Sequence, residues 1–566
     1  MFNNNKNRRI LYFHGMKIPS IYKRITLGLL AIAISLGGLS LKSDYFELNK
    51  QLEIFAAIYR EINQNYVDEQ KPSELMDKAI NGMLSSLDPY TNYIPESYVE
   101  DFRSQSAGQY GGIGAEIRSK GNFPVIASIK QTEAADKAGL RVGDIILEVA
   151  QLETKKRSMD EVSRLLKGAP GTKVDLLIER SGKQFKQSIV RSDILVKNVP
   201  HFAEISPGIG YIYLSQFSAR ASDEVKSAYE AMSAKGKLNG LILDMRGNPG
   251  GLLSEAVNVS NLFIDKGREV VRTKGKVEEA SSLYKTMGSP IDTEIPLTIL
   301  INGQSASASE IVAGVIQDYD RGVVIGQRSF GKGLVQQSKP MNYGTQLKLT
   351  IAKYYTPSGR CIQAINYAER DKTGGVKSIP DSLRKIFYTQ KGRPVLDGGG
   401  VDPDVTIEET SIPTVLYGLL EKDMVFDFVN EYYSDNLNLS FDPHAFVLDE
   451  STFNQFSNYA KKRDFSFETY TEEVLKELET AYGQEGFDNL ESDVKKLRSS
   501  IENIKKGEIE KHQDQITRWL GGELAQRYTY DKGQVIFNLR FDNVSARAVK
   551  VLNSPSEYKD ILTLGK

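Results

Sequence analysis

The spacing of apolar positions changes several times along the chain, and each change marks a segment. An uncharged, mostly apolar run covers Ile25 to Leu41. From Tyr45 the period becomes helical, with Leu52, Phe55, Tyr59, Ile62 and Tyr66 three or four residues apart. Met76, Ile80, Met83 and Leu87 continue it on a second helix, opened at Ser73 and stopped by Asp88-Pro89. Gly108 to about Lys197 alternates short apolar strands with glycine turns. It holds one predicted helix, Met159 to Lys167, preceded by the S-x-x-E box of Ser158 and Glu161. From Gly208 strand and helix alternate. Strands are predicted at Ile209 to Leu214, Leu241 to Asp244, Leu297 to Ile301, Val323 to Ile325 and Leu347 to Tyr355. Helices are predicted at Ser222 to Ala234, at Leu252 to Phe263, and around Ile311, Val312, Val315 and Ile316. Glu408 to Lys566 is charged and helix-rich, with runs at Leu416 to Tyr433, Tyr470 to Tyr482 and Leu490 to Tyr528. Trp519, Leu520 and Leu524 form an apolar face on the last run, and Asn543 to Leu564 either returns to the core or stays exposed.

At 566 residues the chain exceeds a single core and implies three or four domains. A net charge of −1 gives no basic footprint for nucleic acid. The single Cys361 excludes an internal disulfide and is read as structural, and no Cys/His cluster has metal-ligand spacing. No metal or other cofactor is expected. The first twenty-four residues carry Lys6, Arg8, Arg9, Lys17, Lys23 and Arg24 and no acid, ahead of the apolar run. That arrangement reads as a signal sequence or an uncleaved membrane anchor, with the rest of the chain facing outward from the cytoplasm.

The stretch that could carry chemistry runs from Leu297 to Gln336. A strand leads into Asn302-Gly303, then a serine cluster opens a helix, and a second strand ends in a glycine turn carrying Lys332. Three readings compete. Ser307 and Glu310 could form only a capping box, with Lys332 an ordinary surface lysine. Gly326 to Lys332 resembles the start of a phosphate loop, but Gly333 stands where Ser or Thr would hold magnesium, and strand rather than helix follows. The third reading is a serine nucleophile with a lysine base, which requires burial to keep the amine neutral. The four histidines, His14, His201, His444 and His512, lie in no serine-hydrolase motif, and the residues around Lys332 are small and apolar.

SASASEIVAG followed by FGKGLVQ is similar to the signature of the C-terminal processing, or tail-specific, serine peptidases. The resemblance implies that Ser307 is the nucleophile and that Lys332, twenty-five positions later, is the base, with Gln336 orienting it. It places oxyanion-stabilising amides at Ala308 and at Gly250 or Gly251 of the turn Met245-Arg-Gly-Asn-Pro-Gly-Gly, which could otherwise be a strand-to-helix turn that merely needs glycine. The glycine-turn segment with AGLRVGDIIL resembles a PDZ domain, whose carboxylate-binding loop would be Gly112, Ile113, Gly114 and Ala115. DPYTNYIP, TPSGRCIQ and GGGVDPDV also resemble stretches of these peptidases, so the similarity covers about Tyr45 to Ile407.

The expected fold is multi-domain α/β. Residues 1–44 would be a signal or anchor, 45–107 a helical segment, 108–197 an inserted PDZ domain, 198–407 a crotonase-like Ser-Lys peptidase core and 408–566 a helical region. The expected activity is endoproteolysis of proteins with apolar C-terminal tails, through an acyl-enzyme, in a bacterial cell envelope facing the periplasm. A helical adaptor or a second copy of the chain are the further partners the family implies. The alternative is a non-catalytic PDZ scaffold on the same fold.

Overall fold

Residues 45–370, 375–408 and 411–563 are described in a computed structural model. The apolar run Ile25 to Leu41 lies outside them. Among the described residues no helix is long and apolar enough to cross a membrane.

The described residues divide into two units, one up to residue 86 and one from residue 87 onward. In the first, a helix over 45–65 is followed by Pro72–Ser85, and the Tyr59 hydroxyl donates to the Pro72 carbonyl at 2.8 Å. Pro72, rather than Ser73, opens the second helix, where a missing N–H costs no hydrogen bond. The helical period was legible, but Leu52, Phe55 and Met83 on the predicted stripes are exposed.

In the second unit the strands Gln109–Gly112 and Ser192–Leu195 pair antiparallel and form the stem of a β-rich domain. Its sheet runs Ala115–Lys120, Phe123–Ile129, Ile145–Val149, Lys173–Arg180, Lys183–Val190, all antiparallel. The helix Met159–Leu166 carries the predicted capping box of Ser158 and Glu161 and packs Val162 and Leu166 onto Ile126, Ile146 and Ile178.

The alternating segment forms a second sheet in the order His201–Ser206, Ile209–Tyr213, Gly240–Asp244, Leu297–Ile301, Val323–Gly326, Val405–Thr406, parallel after the first pair. Gly240–Asp244, Leu297–Ile301 and Val323–Gly326 are buried throughout, as strands covered on both faces must be. The helices Ala221–Ser233, Leu253–Phe263 and Ala308–Asp318 contribute to the cluster on one face. The other face is closed by the end of the chain. Ala548, Val551 and Leu552 of the helix Asn543–Leu552, with Leu562, pack on Ile209, Tyr211, Ile242, Leu300 and Ile325. Asn543 to Leu562 thus returns to the α/β core, one of the two outcomes the sequence leaves open. A further antiparallel sheet joins Asn92–Ile94, Glu269–Gly275, Leu283–Lys285, Leu334–Pro340 and Gln346–Tyr355.

The helical region has its own core around Phe428, Phe453, Phe456, Leu520 and Leu524. The predicted run Leu416 to Tyr433 breaks between Thr414–Glu421 and Met424–Asp435, where Asp423 takes a positive φ of 58°. The run predicted from Leu490 becomes Glu491–Lys505, Glu508–Lys511 and Gln513–Leu539, the last kinked at Thr529 and Tyr530. Leu520 and Leu524 are fully buried, but Trp519 points outward, 38% exposed. This region also grips the β-rich domain. Arg118 pairs with Asp423 at 2.6 Å, Lys120 pairs with Asp427, and the Tyr530 hydroxyl donates to Asp136 at 2.8 Å.

Candidate active site

Two turns at the C-terminal ends of neighbouring parallel strands meet at Ser307. The strand Leu297–Ile301 runs into the serine cluster, and Gly240–Asp244 runs into the Met245–Gly251 turn. The Ser305 hydroxyl donates to the Met245 carbonyl at 2.8 Å. The Ala306 N–H and the Ser309 hydroxyl both donate to the Asn248 carbonyl at 3.0 Å. Ser305 and Ser309 thus bind the turns together, and Ser307 is left at the first turn of the helix Ala308–Asp318 with φ 56° and ψ −110°. A side chain in that region is strained and persists only where the surroundings impose it.

The glycines answer to this close approach. A Cβ on Gly250, whose φ is 98°, would stand 2.7 Å from the Ala306 carbonyl oxygen, 2.8 Å from Ser307 Cβ and 2.9 Å from the Ala308 nitrogen. The Gly250 N–H is already committed to Asn248 Oδ1 at 2.9 Å. The amides of Gly251 and Ala308 have no acceptor among the described residues. Arg246, at the start of the same turn, is held between Asp244 and Asp542, each at 2.5 Å, so the end of the chain also braces the turn.

Glu310 is the residue the sequence reading undervalued. The S-x-x-E pattern foretold its bond from the Ser307 N–H, present at 2.8 Å. The other half of its role was invisible in sequence. The same fully buried carboxylate accepts the Ser329 hydroxyl at 2.6 Å, the Gly331 N–H at 2.7 Å and the Lys332 N–H at 2.9 Å. Burial pulls its pKa up and these four donors pull it back. Three of the donors are backbone N–H groups that cannot accept, so the carboxylate is the form that fits the cage. The amides a phosphate loop would offer are consumed here, and the strand Leu334–Pro340 follows where such a loop needs a helix.

Lys332 is half-buried, and desolvation, aided by the nearby Lys348 ammonium, lowers its pKa to about 8. Its Nζ stands 4.3 Å from the centre of the Tyr90 ring, in the DPYTNYIP segment. No hydrogen bond joins Lys332 to Ser307 among the described residues. The Gln336 amide donates to Thr350 Oγ1 at 3.3 Å. Tyr354 contacts both loops, its hydroxyl 2.5 Å from the Lys332 carbonyl and 3.1 Å from that of Ser307. His201 packs against Tyr211, and His444 and His512 lie in the helical region. Burial raises the Cys361 thiol, which argues against a thiolate nucleophile there.

A groove of about 480 Å³ lies between the Ala115–Lys120 strand and the Met159–Leu166 helix. Ile113, Ile117, Met159 and Leu166 give it apolar walls, and Ile113 and Ala115 of the expected loop line it. At one end Lys167 pairs with Asp101 at 3.1 Å, and Gln216 reaches the groove from the segment that bridges to Gly251. The fold and this site define a serine-type peptidase with a peptide-recognition domain.

Residues 208–371 match the family described as peptidase family S41, and residues 125–180 match a PDZ domain. Residues 415–552 match the C-terminal helical domain of a probable PDZ-protease, and residues 38–97 an activating protease CtpB N-terminal domain. A carboxy-terminal-processing protease of Bartonella bacilliformis is 39% identical over 322 residues, 56% of this chain and 73% of that protein. A probable CtpA-like serine protease of Staphylococcus aureus is 35% identical over 325 residues, 57% of this chain and 64% of that protein. Among solved structures, a photosystem II D1 C-terminal processing protease aligns at 27% identity with a TM-score of 0.36, covering 65% of this chain and 96% of that one. The chain belongs to the S41 family of carboxy-terminal-processing serine peptidases.

Proposed function

We propose that the chain is an endopeptidase that captures the apolar C-terminal tail of a protein in its PDZ groove and cleaves with a Ser307–Lys332 dyad. Ser307 Oγ attacks the scissile carbonyl while neutral Lys332 accepts its proton, and an acyl-enzyme forms as the amine leaves with a proton from Lys332. Water then attacks the ester and regenerates the serine. The N–H groups of Ala308 and Gly251 receive the oxyanion. Gly250 is set aside for this role because its N–H serves Asn248. The Lys332 amine must swing from the Tyr90 ring to reach Ser307, and Gln336 must leave Thr350 if it is to steady the amine.

One observation carries the reading: a single buried carboxylate, Glu310, binds the backbone of both the strained serine and the desolvated lysine. Nothing in a tail-binding scaffold requires that link. The succession of strands and one-sided helices is compatible with a crotonase-like core. The basic and apolar N-terminal stretch favours an exported or membrane-anchored protein facing the periplasm. The test uses an unstructured protein with an apolar C-terminus, the chain and its Ser307→Ala variant, with products read by mass spectrometry. Cleavage by the parent and none by the variant is expected. Equal cleavage by both would reject Ser307 as the nucleophile.

A further inference from the structure

We infer that Tyr354 is a positioning residue for the Ser307–Lys332 pair, its hydroxyl clamping the carbonyls of both residues as Glu310 clamps their amides; this rests on the dyad reading above. Tyr354 lies in the Gln346–Tyr355 strand, 1% exposed, and its own N–H donates to the Gly333 carbonyl at 3.0 Å. The ring therefore rises directly beneath the turn that carries Lys332.

Its hydroxyl has one proton and faces two acceptors. The shorter contact, 2.5 Å, is to the Lys332 carbonyl, and that carbonyl has no other donor among the described residues. The Ser307 carbonyl, 3.1 Å away, also accepts the Ile311 N–H at 3.0 Å within the helix. Tyr354 thus directs its one proton at the Lys332 carbonyl and shares it, over the longer distance, with the Ser307 carbonyl. Burial holds the phenol well above its ordinary pKa, so it stays a donor throughout the working range.

The need for such a clamp follows from the local backbone. Ser307 is strained, and the carbonyl of Lys332, unlike those of the flanking Gly331 and Gly333, accepts no backbone N–H among the described residues. Glu310 accepts from the amides of both Ser307 and Lys332, and among the described residues Tyr354 is the side chain whose hydroxyl reaches the carbonyls of both, beside the Phe330 N–H that donates to the Ser305 carbonyl at 3.0 Å. Reacting atoms displaced by about 1 Å can cost on the order of 100-fold in rate.

The experiment is Tyr354→Phe in the full chain, with kcat and KM on a tail-bearing protein, tail affinity by titration, and the labelling rate of Ser307 by a small fluorophosphonate. We expect kcat and the labelling rate to fall roughly 10- to 100-fold, with KM and tail affinity unchanged. Two replacements separate the hydroxyl's proton from its volume. Position 354 as 4-fluorophenylalanine fills the space without donating and should match phenylalanine. As 4-aminophenylalanine it donates and should recover most of the rate. Should the phenylalanine variant fail to fold, the fluoro and amino pair makes the comparison alone. Full kcat without a donor overturns the inference, as does a loss that the amino group does not restore. Ser307→Ala is run alongside. Cleavage by that variant means the dyad reading has failed, whereas an inactive Ser307→Ala beside a fully active Tyr354→Phe removes only the role of Tyr354.

Discussion

The proposed dyad makes a quantitative demand on Lys332, because the surroundings of its amine set how often it would be a usable base. An ordinary lysine at 10.5 is neutral about three times in ten thousand at pH 7, whereas Lys332 at about 8 is neutral roughly one time in ten. Desolvation therefore enlarges the neutral fraction roughly 300-fold. With the amine as base, kcat/KM should climb about tenfold between pH 6 and pH 7 and level off above about pH 8. The same displacement acts on stability with a definite sign. The folded value lies below the unfolded one, so the unfolded chain binds more protons between about pH 8 and 10.5, and stability rises with pH through that window. Below it the cost is complete, at about 1.4 kcal/mol per tenfold change in proton affinity. Lys332→Met should accordingly abolish cleavage and stabilise the fold at neutral pH by on the order of 2–3 kcal/mol, read by chemical denaturation. Lys332→Arg keeps the charge on a group that does not deprotonate and should lose roughly 10²- to 10⁴-fold in kcat with tail binding retained. The assay is cleavage of a fluorogenic tail peptide across the pH range. A profile flat down to about pH 6, or one still climbing tenfold per pH unit beyond about pH 9.5, would refute the assignment of Lys332 as a desolvated base.

The contacts of the two turns lead to further outcomes. Gly250→Ala drives a methyl to 2.7 Å from the Ala306 carbonyl oxygen and 2.8 Å from Ser307 Cβ, so kcat should fall at least about 100-fold, measured with tail affinity as the control. Glu310→Gln offers one acceptor and one donor where four donors converge. Its amide nitrogen must meet at least one backbone N–H, and a loss of about 2–3 kcal/mol with a fall in kcat is expected from thermal melts and kinetics. Leu552→Ala, beneath the parallel sheet and far from Ser307 in sequence, should cost about 2–4 kcal/mol while leaving the activity of the folded fraction unchanged at 25 °C.

Some of these features could be read from the chain and others could not, and the division follows the range of the interactions. The box at Ser158 and Glu161, the strands at Leu241 and Leu297, and the turn at Met245–Gly251 depend on neighbours a few residues away, and the structure has each of them. The break between the two helices falls at Lys422 and Asp423, where no glycine or proline stands, while Gly418 sits inside the first helix. Trp519 faces out because the packing of Phe428 and Phe456 selects the adjacent Leu520 and Leu524 stripe instead.

By itself the sequence determined the order of segments, the burial of the parallel strands, and a serine and a lysine at turns ending successive strands, because period and turn chemistry are local properties. Only the tertiary structure decided that Glu310 and Tyr354 bind both of those turns and that the last helices close the peptidase sheet. Each joins residues separated by another element or by hundreds of positions. A buried carboxylate or phenol takes whichever donors and acceptors the packed core brings to it, and no spacing in the chain encodes which those will be.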